Sequence, residues 1–244
     1  MAAIQTDAPP PSRRGPYERA FFTGAAIVAA LVVFGGFSQK YYLKAFFDSP
    51  ALPSVLVHVH GLVMTAWFAL FLVQARLIAA ANVNLHRRLG IASVVLVVLI
   101  LVVGTMTAIY AAKAGRGPPG PPPLAFLAIP LMSMVTFGTL YAAALAWRRT
   151  RTDIHKRLMV LASLAILTPA IARVPFPNGG VGLFFALTYV ILIACVAIDT
   201  IRNRRLHPAF GWGFAYVAGL QGLTFAIALS PRWQEFAYQL TQAI

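Results

Sequence analysis

The chain has 244 residues, of which 59% are hydrophobic and only 11% are charged, and its mean hydropathy is +0.76. Ordinary soluble domains carry about 25% charged residues, so this composition excludes that class. The net charge of +14 comes mainly from basic residues at the ends of apolar blocks, which indicates membrane topology and contact with anionic lipids. We therefore expect the lipid bilayer as a partner and no nucleic acid.

Seven apolar blocks are each long enough to cross about 30 Å of hydrocarbon as a helix, which takes roughly 20 residues. Backbone groups in lipid must bond within their own segment, and the short alternating segments of a membrane barrel are not visible. The prediction is an all-α, polytopic transmembrane helix bundle. Its seven spans run over about residues 20–37, 54–80, 89–112, 124–147, 158–174, 181–201 and 210–229.

The remaining segments divide the chain into three parts. Residues 1–19 are rich in proline, alanine and arginine and are expected to be a flexible, basic cytoplasmic segment. Residues 20–230 form the transmembrane domain, and residues 231–244 are expected to be an amphipathic tail at the membrane interface. Inside the fifth span, Pro169 predicts a bend because it removes a helical hydrogen bond.

The lysines and arginines predict the orientation of the bundle. When the breaks between spans are assigned alternately, one side carries 14 basic residues and the other carries 6. The positive-inside rule then predicts a cytoplasmic N-terminus and an external C-terminus. The fourteen are Arg13, Arg14, Arg19, Arg76, Arg87, Arg88, Arg148, Arg149, Arg151, Lys156, Arg157, Arg202, Arg204 and Arg205.

Two of the cytoplasmic breaks resemble each other. One contains His86-Arg87-Arg88-Leu89 and the other His155-Lys156-Arg157-Leu158, each after an apolar residue. The likeness indicates either two related helical hairpins or convergence, because basic residues belong at inner helix ends in any case.

The five histidines fall into two groups by depth. His58 and His60 lie near the outer face, whereas His86, His155 and His207 lie at the inner face. At about 1.5 Å per helical residue, the two groups are separated by nearly a whole bilayer. The histidines therefore predict two separate candidate sites.

The outer candidate is centred on His60, with His58 as the other candidate metal ligand. Trp67 and Gln74 share a helical stripe with His60, and this polar stripe is expected to face the bundle interior. Tyr42 and Arg173 are expected at the same depth. This set would suit a transition metal, or a haem whose propionate meets Arg173; the alternative is an interfacial histidine beside an arginine that reaches the headgroups.

The inner candidate combines His86, His155 and Asp199, since two histidines and a carboxylate are a feasible metal set. The alternative is that Asp199 pairs with the nearby Arg202, Arg204 and Arg205 while the histidine turns bind headgroups. Cys195, the single cysteine, lies within an apolar block and is expected to be a packing residue.

Several motifs together resemble a group of uncharacterised bacterial multi-spanning inner-membrane proteins. The resemblance covers most of the chain after Tyr17 and implies a multi-pass protein of the bacterial inner membrane. The two histidine turns are also distantly similar to an element of cytochrome oxidase assembly proteins, and the bundle to cytochrome b561-type proteins, although paired histidines within facing spans are lacking. The motifs are Gly36-Phe37-Ser38, Tyr41-Tyr42, His58-x-His60-Gly61, Trp67, Gln74, His86-Arg87-Arg88-Leu89-Gly90, His155-Lys156-Arg157-Leu158-Met159 and Arg173-x-Pro175.

Three functions remain open from the sequence. The first is a redox or respiratory-complex assembly role built on a histidine-centred, outer-facing metal or haem site. The second is an accessory or structural subunit of a larger membrane complex, with other membrane subunits as partners. The third is a small-molecule or proton-coupled transporter, for which mostly continuous spans are unusual.

Overall fold

The computed structural model describes residues 15–118, 120–175 and 180–243, and those residues form helices and no strands. Within them, seven helical segments are long and apolar enough to cross a membrane, which confirms the all-α, multi-pass architecture. The helices are α1 (Pro16–Phe37), α2 (Val55–Ala79), α3 (Val83–Lys113), α4 (Pro123–Ala146), α5 (Thr152–Ala165), α6 (Thr168–Ile171), α7 (Val181–Asn203), α8 (Pro208–Ala228) and α9 (Pro231–Gln242).

Helices α1, α3 and α5 begin at least four residues earlier than the sequence predicts. Helix α1 begins at Pro16, within the segment 1–19, of which residues 1–14 lie outside the described residues. Helix α3 begins at Val83, because the side chain of Asn82 accepts a hydrogen bond from the backbone N–H of Leu85 at 3.2 Å and caps the first turn. Helix α5 begins at Thr152. As a result, His86 and His155 each lie in the early turns of a helix, where the helix fixes the direction of the side chain.

Helix α1 continues into a π-helical turn, Ser38–Tyr42, which carries two tyrosines onto α2. The Tyr42 hydroxyl lies 2.8 Å from Oγ1 of Thr65, and the Tyr41 ring lies against Gly61. A Cβ at Gly61 would come within 2.7 Å of that ring. Glycine at this position therefore allows the close contact between the end of α1 and α2.

The fifth span is interrupted, and the bend expected near Pro169 is found just before it. Helix α5 ends at Ala165, and the short helix α6 begins at Thr168 after residues 166–167. Proline at the first turn of α6 costs no hydrogen bond there, since that N–H would be unpaired anyway. The two pieces together form the most deeply buried span.

Five helices enclose the space that matters for function. Helices α1 to α5 form a closed ring in which each helix packs against the next and α5 packs against α1. Helices α7 and α8 lie outside this ring against α5, and α8 also packs on α4. The amphipathic α9 packs on α3 and α4, where Nε1 of Trp233 donates to the carbonyl oxygen of Leu124 at 2.8 Å.

The bundle has one end that is rich in cations. We call the end that contains turns 80–82, 147–151 and 204–207, together with the start of α1, the cation-rich end, and the other the opposite end. The predicted orientation places the cation-rich end in the cytoplasm. Large apolar side chains on the outer surface, such as Ile91, Val95 and Val190, are more than half exposed, as expected for helices in lipid.

Candidate functional site

A cavity of about 980 Å³ opens within the ring of α1 to α5, in the half of the bundle nearest the cation-rich end. Along α2 it extends from Trp67 to Ala79, which is about 18 Å at about 1.5 Å per residue. This volume lies at the upper end of the range of about 300–1,000 Å³ that is usual for small-molecule sites. The cavity is therefore large enough for a ligand of many atoms.

The deep wall of the cavity is apolar and aromatic. The Trp67 ring packs edge-to-face on Phe137 with ring centroids 4.9 Å apart, and also against Tyr141 at 5.9 Å. The Tyr141 hydroxyl is held 2.8 Å from Oγ of Ser93. Indole Nε1 of Trp67 is buried without a hydrogen-bond partner among the described residues. These contacts make the inner wall rigid.

The rim of the cavity is strongly basic. Five basic side chains line it against a single acidic one, Glu18. The carboxylate of Glu18 forms an ion pair with Lys156, whose ammonium also lies 5.2 Å from the centre of the Phe22 ring. The five basic residues come from α1, α3, α5 and the α4–α5 turn: Arg19, Arg87, Arg148, Arg149 and Lys156.

Both inner histidines line this same cavity. His86 reaches it from α3 and His155 from α5, on facing parts of the ring. Nδ1 of His155 lies 2.9 Å from the carbonyl oxygen of Ala144, so the ring is anchored to the end of α4. The two histidines that the sequence analysis grouped in the inner candidate therefore line one cavity.

Asp199 does not join those histidines. Its carboxylate forms a bidentate ion pair with Arg157, with distances of 3.0 Å to Nε and 2.8 Å to Nη2. Both side chains are buried, so the partner is Arg157 of α5 and not the arginines that follow α7. Among the described residues, no three His, Cys, Asp or Glu side chains are grouped to hold a metal. The inner metal set is thus not assembled.

His207 has a structural position at the start of α8. Its Nδ1 accepts the backbone N–H of Ala209 at 3.2 Å, and its Nε2 lies 3.1 Å from Oδ2 of Asp153. Burial and the Arg157 guanidinium lower the pKa of this imidazole, while the contact with Asp153 opposes the change. His207 is therefore a helix cap outside the cavity.

At the opposite end, His58 and His60 have different surroundings. His58 is exposed and its ring lies 5.6 Å from the Tyr41 ring. His60 is partly buried, and its Nδ1 has no hydrogen-bond partner among the described residues. The two imidazoles are therefore not a chelating pair.

Arg173 is the outer candidate that does approach His60, because its guanidinium acts electrostatically on that imidazole. The same guanidinium lies 4.4 Å from the centre of the Phe37 ring and donates to the carbonyl oxygen of Pro169 at 2.6 Å. Tyr42 instead contacts Thr65 and stacks on Phe34. The outer candidates therefore make separate local contacts, each with the side chains or backbone next to it.

Trp67 and Gln74 belong to the cavity and not to the outer group. The stripe that contains them does face inward, but their depth along α2 places them in the other half of the bundle. Residues that the sequence analysis missed here are Glu18, Ser93 and Tyr141. A possible signal was the position of Glu18, an acidic residue that lies next to Arg19 just before the first span.

Comparison with protein-family models, with curated proteins and with solved structures finds no match to this chain, so its own geometry is the basis for assigning a function.

Proposed function

We propose that this membrane protein binds an amphipathic anion in the cavity enclosed by α1 to α5. The anionic head lies at the basic rim, and the apolar body extends toward Trp67. The observation that carries the proposal is the arrangement of five basic side chains and one acidic side chain around the mouth of a cavity with an aromatic inner wall.

Charge decides the selectivity of such a site. A ligand that comes from the bilayer leaves an environment as apolar as the cavity wall, so burying its chain gives little net free energy. The ion pairs at the rim are different, because the head exchanges water and mobile counterions for fixed cations. Each exposed pair contributes only about 0.2–1 kcal/mol, so several must act together. Among the lining residues only Glu18 opposes them.

Binding is tested with three single-chain amphiphiles of equal length: dodecanoate, dodecyl phosphate and dodecanol. The protein is placed in nanodiscs of zwitterionic phosphatidylcholine, and each compound is titrated as a brominated analogue that quenches tryptophan fluorescence. We expect saturable quenching by at least one anion, at least about fivefold stronger than by dodecanol. The variant Trp67→Phe should remove most of that quenching.

The rim is tested with Arg148→Gln combined with Arg149→Gln, which should weaken anion binding several-fold. The matched control is Arg204→Gln combined with Arg205→Gln, since these arginines lie at the same end of the bundle but do not line the cavity. Equal loss in both double variants would indicate general surface attraction. Quenching by dodecanol equal to that by both anions would contradict the proposal.

The outer group is a second candidate, for a metal- or haem-linked site with a redox or assembly role. Two observations favour it: Nδ1 of His60 is buried without a described partner, and Arg173 lies within electrostatic reach. A neutral imidazole supplies one ligand to a transition metal, and an arginine beside it would pair with a propionate. Further ligands would have to come from a second protein or from the cofactor itself.

The second candidate is tested by the visible spectrum and metal content of protein purified in mild detergent. We expect a Soret band or a stoichiometric metal that is lost in His60→Gln and kept in His58→Gln, because His58 is exposed. Protein with neither signal, purified from cells supplied with iron and haem precursor, would contradict this role.

A further inference from the structure

Some basic residues at the cation-rich end already have acidic partners, and these ion pairs limit what the head of the ligand can bind. Three acidic residues lie near the cation-rich end in the described part of the chain, and each has a basic partner. Glu18 pairs with Lys156, Asp153 with Arg151 and Asp199 with Arg157. Of these ion pairs, only the one between Glu18 and Lys156 lies in the cavity rim.

Four arginines of the rim are not paired with a carboxylate in the described part of the chain. Arg148 donates to the carbonyl oxygen of Leu145 at 2.8 Å, and Arg19 donates to that of Ala79 at 3.4 Å. Neither contact neutralises a cation. In residues 15–118, 120–175 and 180–243, no carboxylate lies within ion-pair distance of these arginines. The four are Arg19, Arg87, Arg148 and Arg149.

The number of negative charges on the head then determines how much binding free energy the head gains at the rim. A head with a single negative charge can pair with one exposed arginine, which contributes little, or can displace Glu18 from Lys156, which exchanges one carboxylate for another. A head with a second charge also neutralises one of the free arginines. The starts of α3 and α5 add the same sign of potential, because Val83 and Thr152 line the cavity at the first turn of each helix.

We propose that the ligand is a phosphorylated lipid whose head is a phosphate monoester or a diphosphate. The inference rests on the proposed function and names the ligand class for the same cavity. A phosphate monoester carries about −1.5 to −2 charges at pH 7 and has three acceptor oxygens. An arginine guanidinium binds two such oxygens in a bidentate geometry. A carboxylate has only two oxygens for this contact, whereas a phosphate monoester has three and can bind more than one arginine. The chain of the lipid occupies the apolar part of the cavity beside Trp67 and Phe71.

Glu18 determines how strongly the site prefers a phosphate head over a carboxylate head. Its carboxylate already occupies the position at Lys156, the one basic residue of the rim that is not exposed, so a singly charged head is left with exposed arginines that form weak pairs. Removing the carboxylate opens that position to any anion. The variant Glu18→Gln should therefore tighten dodecanoate binding more than dodecyl phosphate binding.

The experiment compares dodecyl phosphate and dodecanoate in phosphatidylcholine nanodiscs at pH 7.4 by the same quenching titration. In the unmodified protein we expect dodecyl phosphate to bind at least about tenfold more tightly. In Glu18→Gln the ratio should fall to about threefold or less because dodecanoate gains. In Arg148→Gln combined with Arg149→Gln the ratio should also fall, but because dodecyl phosphate loses.

Inorganic phosphate distinguishes a lipid site from a site for the free ion. At the same concentration as dodecyl phosphate it should not compete, since it lacks the chain. Full competition would overturn the lipid assignment. Equal affinity for the two lipids, each saturable and each sensitive to Trp67→Phe, would overturn this inference and leave the proposed function standing. No saturable binding of any anion would overturn both.

Discussion

Arg157 and Asp199 form the one buried ion pair that the structure describes within the helices. Their contribution to the stability of the bundle depends on each charge having its partner. The side chains are 7% and 5% exposed. The guanidinium also donates to the carbonyl oxygen of Asp153 at 3.1 Å and lies 5.7 Å from the centre of the Phe210 ring. The pair thus joins α5, α7 and α8, and each side-chain nitrogen and oxygen atom of the pair that could form hydrogen bonds has at least one partner.

Removing one member of this pair should destabilise the bundle strongly, because the other charge stays buried alone. We expect Asp199→Ala to cost about 3–5 kcal/mol and to lower the melting temperature in detergent clearly. The double variant Arg157→Met with Asp199→Leu should recover much of that loss. Thermal unfolding followed by intrinsic fluorescence is the measurement.

The exposed pair between Arg151 and Asp153 is the control. Its side chains are 55% and 38% exposed, so water and salt screen the charges. Arg151→Gln should cost less than about 1 kcal/mol. A loss in Asp199→Ala no larger than the loss in Arg151→Gln would contradict the assigned role of the buried pair.

At the scale of elements, the contact between α1 and α6 depends on a backbone-to-backbone approach. Gly36, near the end of α1, lies against the carbonyl group of Ala170 in α6. A Cβ built on Gly36 would be 2.0 Å from that oxygen, a distance at which the helices must move apart. The interruption of the fifth span before Pro169 makes α6 a separate short helix, and Gly36 lets α1 pack on it.

The variant Gly36→Ala should therefore lower stability by about 1–3 kcal/mol, the usual range for overpacking. Gly35→Ala is a matched control, because it changes the same residue type one position earlier where nothing lies within 4 Å. In that variant alanine should be neutral or stabilising by up to about 1 kcal/mol, since it favours helix more than glycine does. Equal melting temperatures for the two variants would show that α1 and α6 do not pack closely.

At the scale of the whole molecule, the orientation of the bundle decides which compartment the cavity faces. The seven membrane-capable segments put the start of α1 and the end of α8 at opposite ends, and the unpaired rim arginines lie at the cation-rich end. The positive-inside rule predicts that this end lies in the cytoplasm. The proposed ligand would then reach the site from the inner leaflet.

The orientation is tested by labelling with a membrane-impermeant maleimide in intact cells. Cys195 is the only cysteine and is buried, so the background variant is Cys195→Ala. Arg116→Cys, in the loop between α3 and α4, should be labelled in intact cells. Thr150→Cys, in the turn between α4 and α5, should be labelled only after the cells are permeabilised, and the reverse pattern would invert the bundle.

The sequence by itself determined the class of the protein, the number of its spans and the direction in which the α2 stripe faces. These properties follow from local patterns: about 20 apolar residues are needed to cross a bilayer, and a helix repeats every 3.6 residues. The interruption near Pro169 is likewise a local effect, because it arises from a missing N–H.

The tertiary structure decided which of the candidate side chains share a cavity and which do not. His86 and His155 meet at one cavity because α3 and α5 both take part in the ring of α1 to α5, and the order of the helices around that ring is set by packing between distant segments. Asp199 selects Arg157, which is remote in the chain, in place of its basic neighbours because only Arg157 is buried beside it. Contacts between helices that are far apart in the chain leave no periodic trace in either helix, so the seven spans were predictable and the basic cavity between them was not.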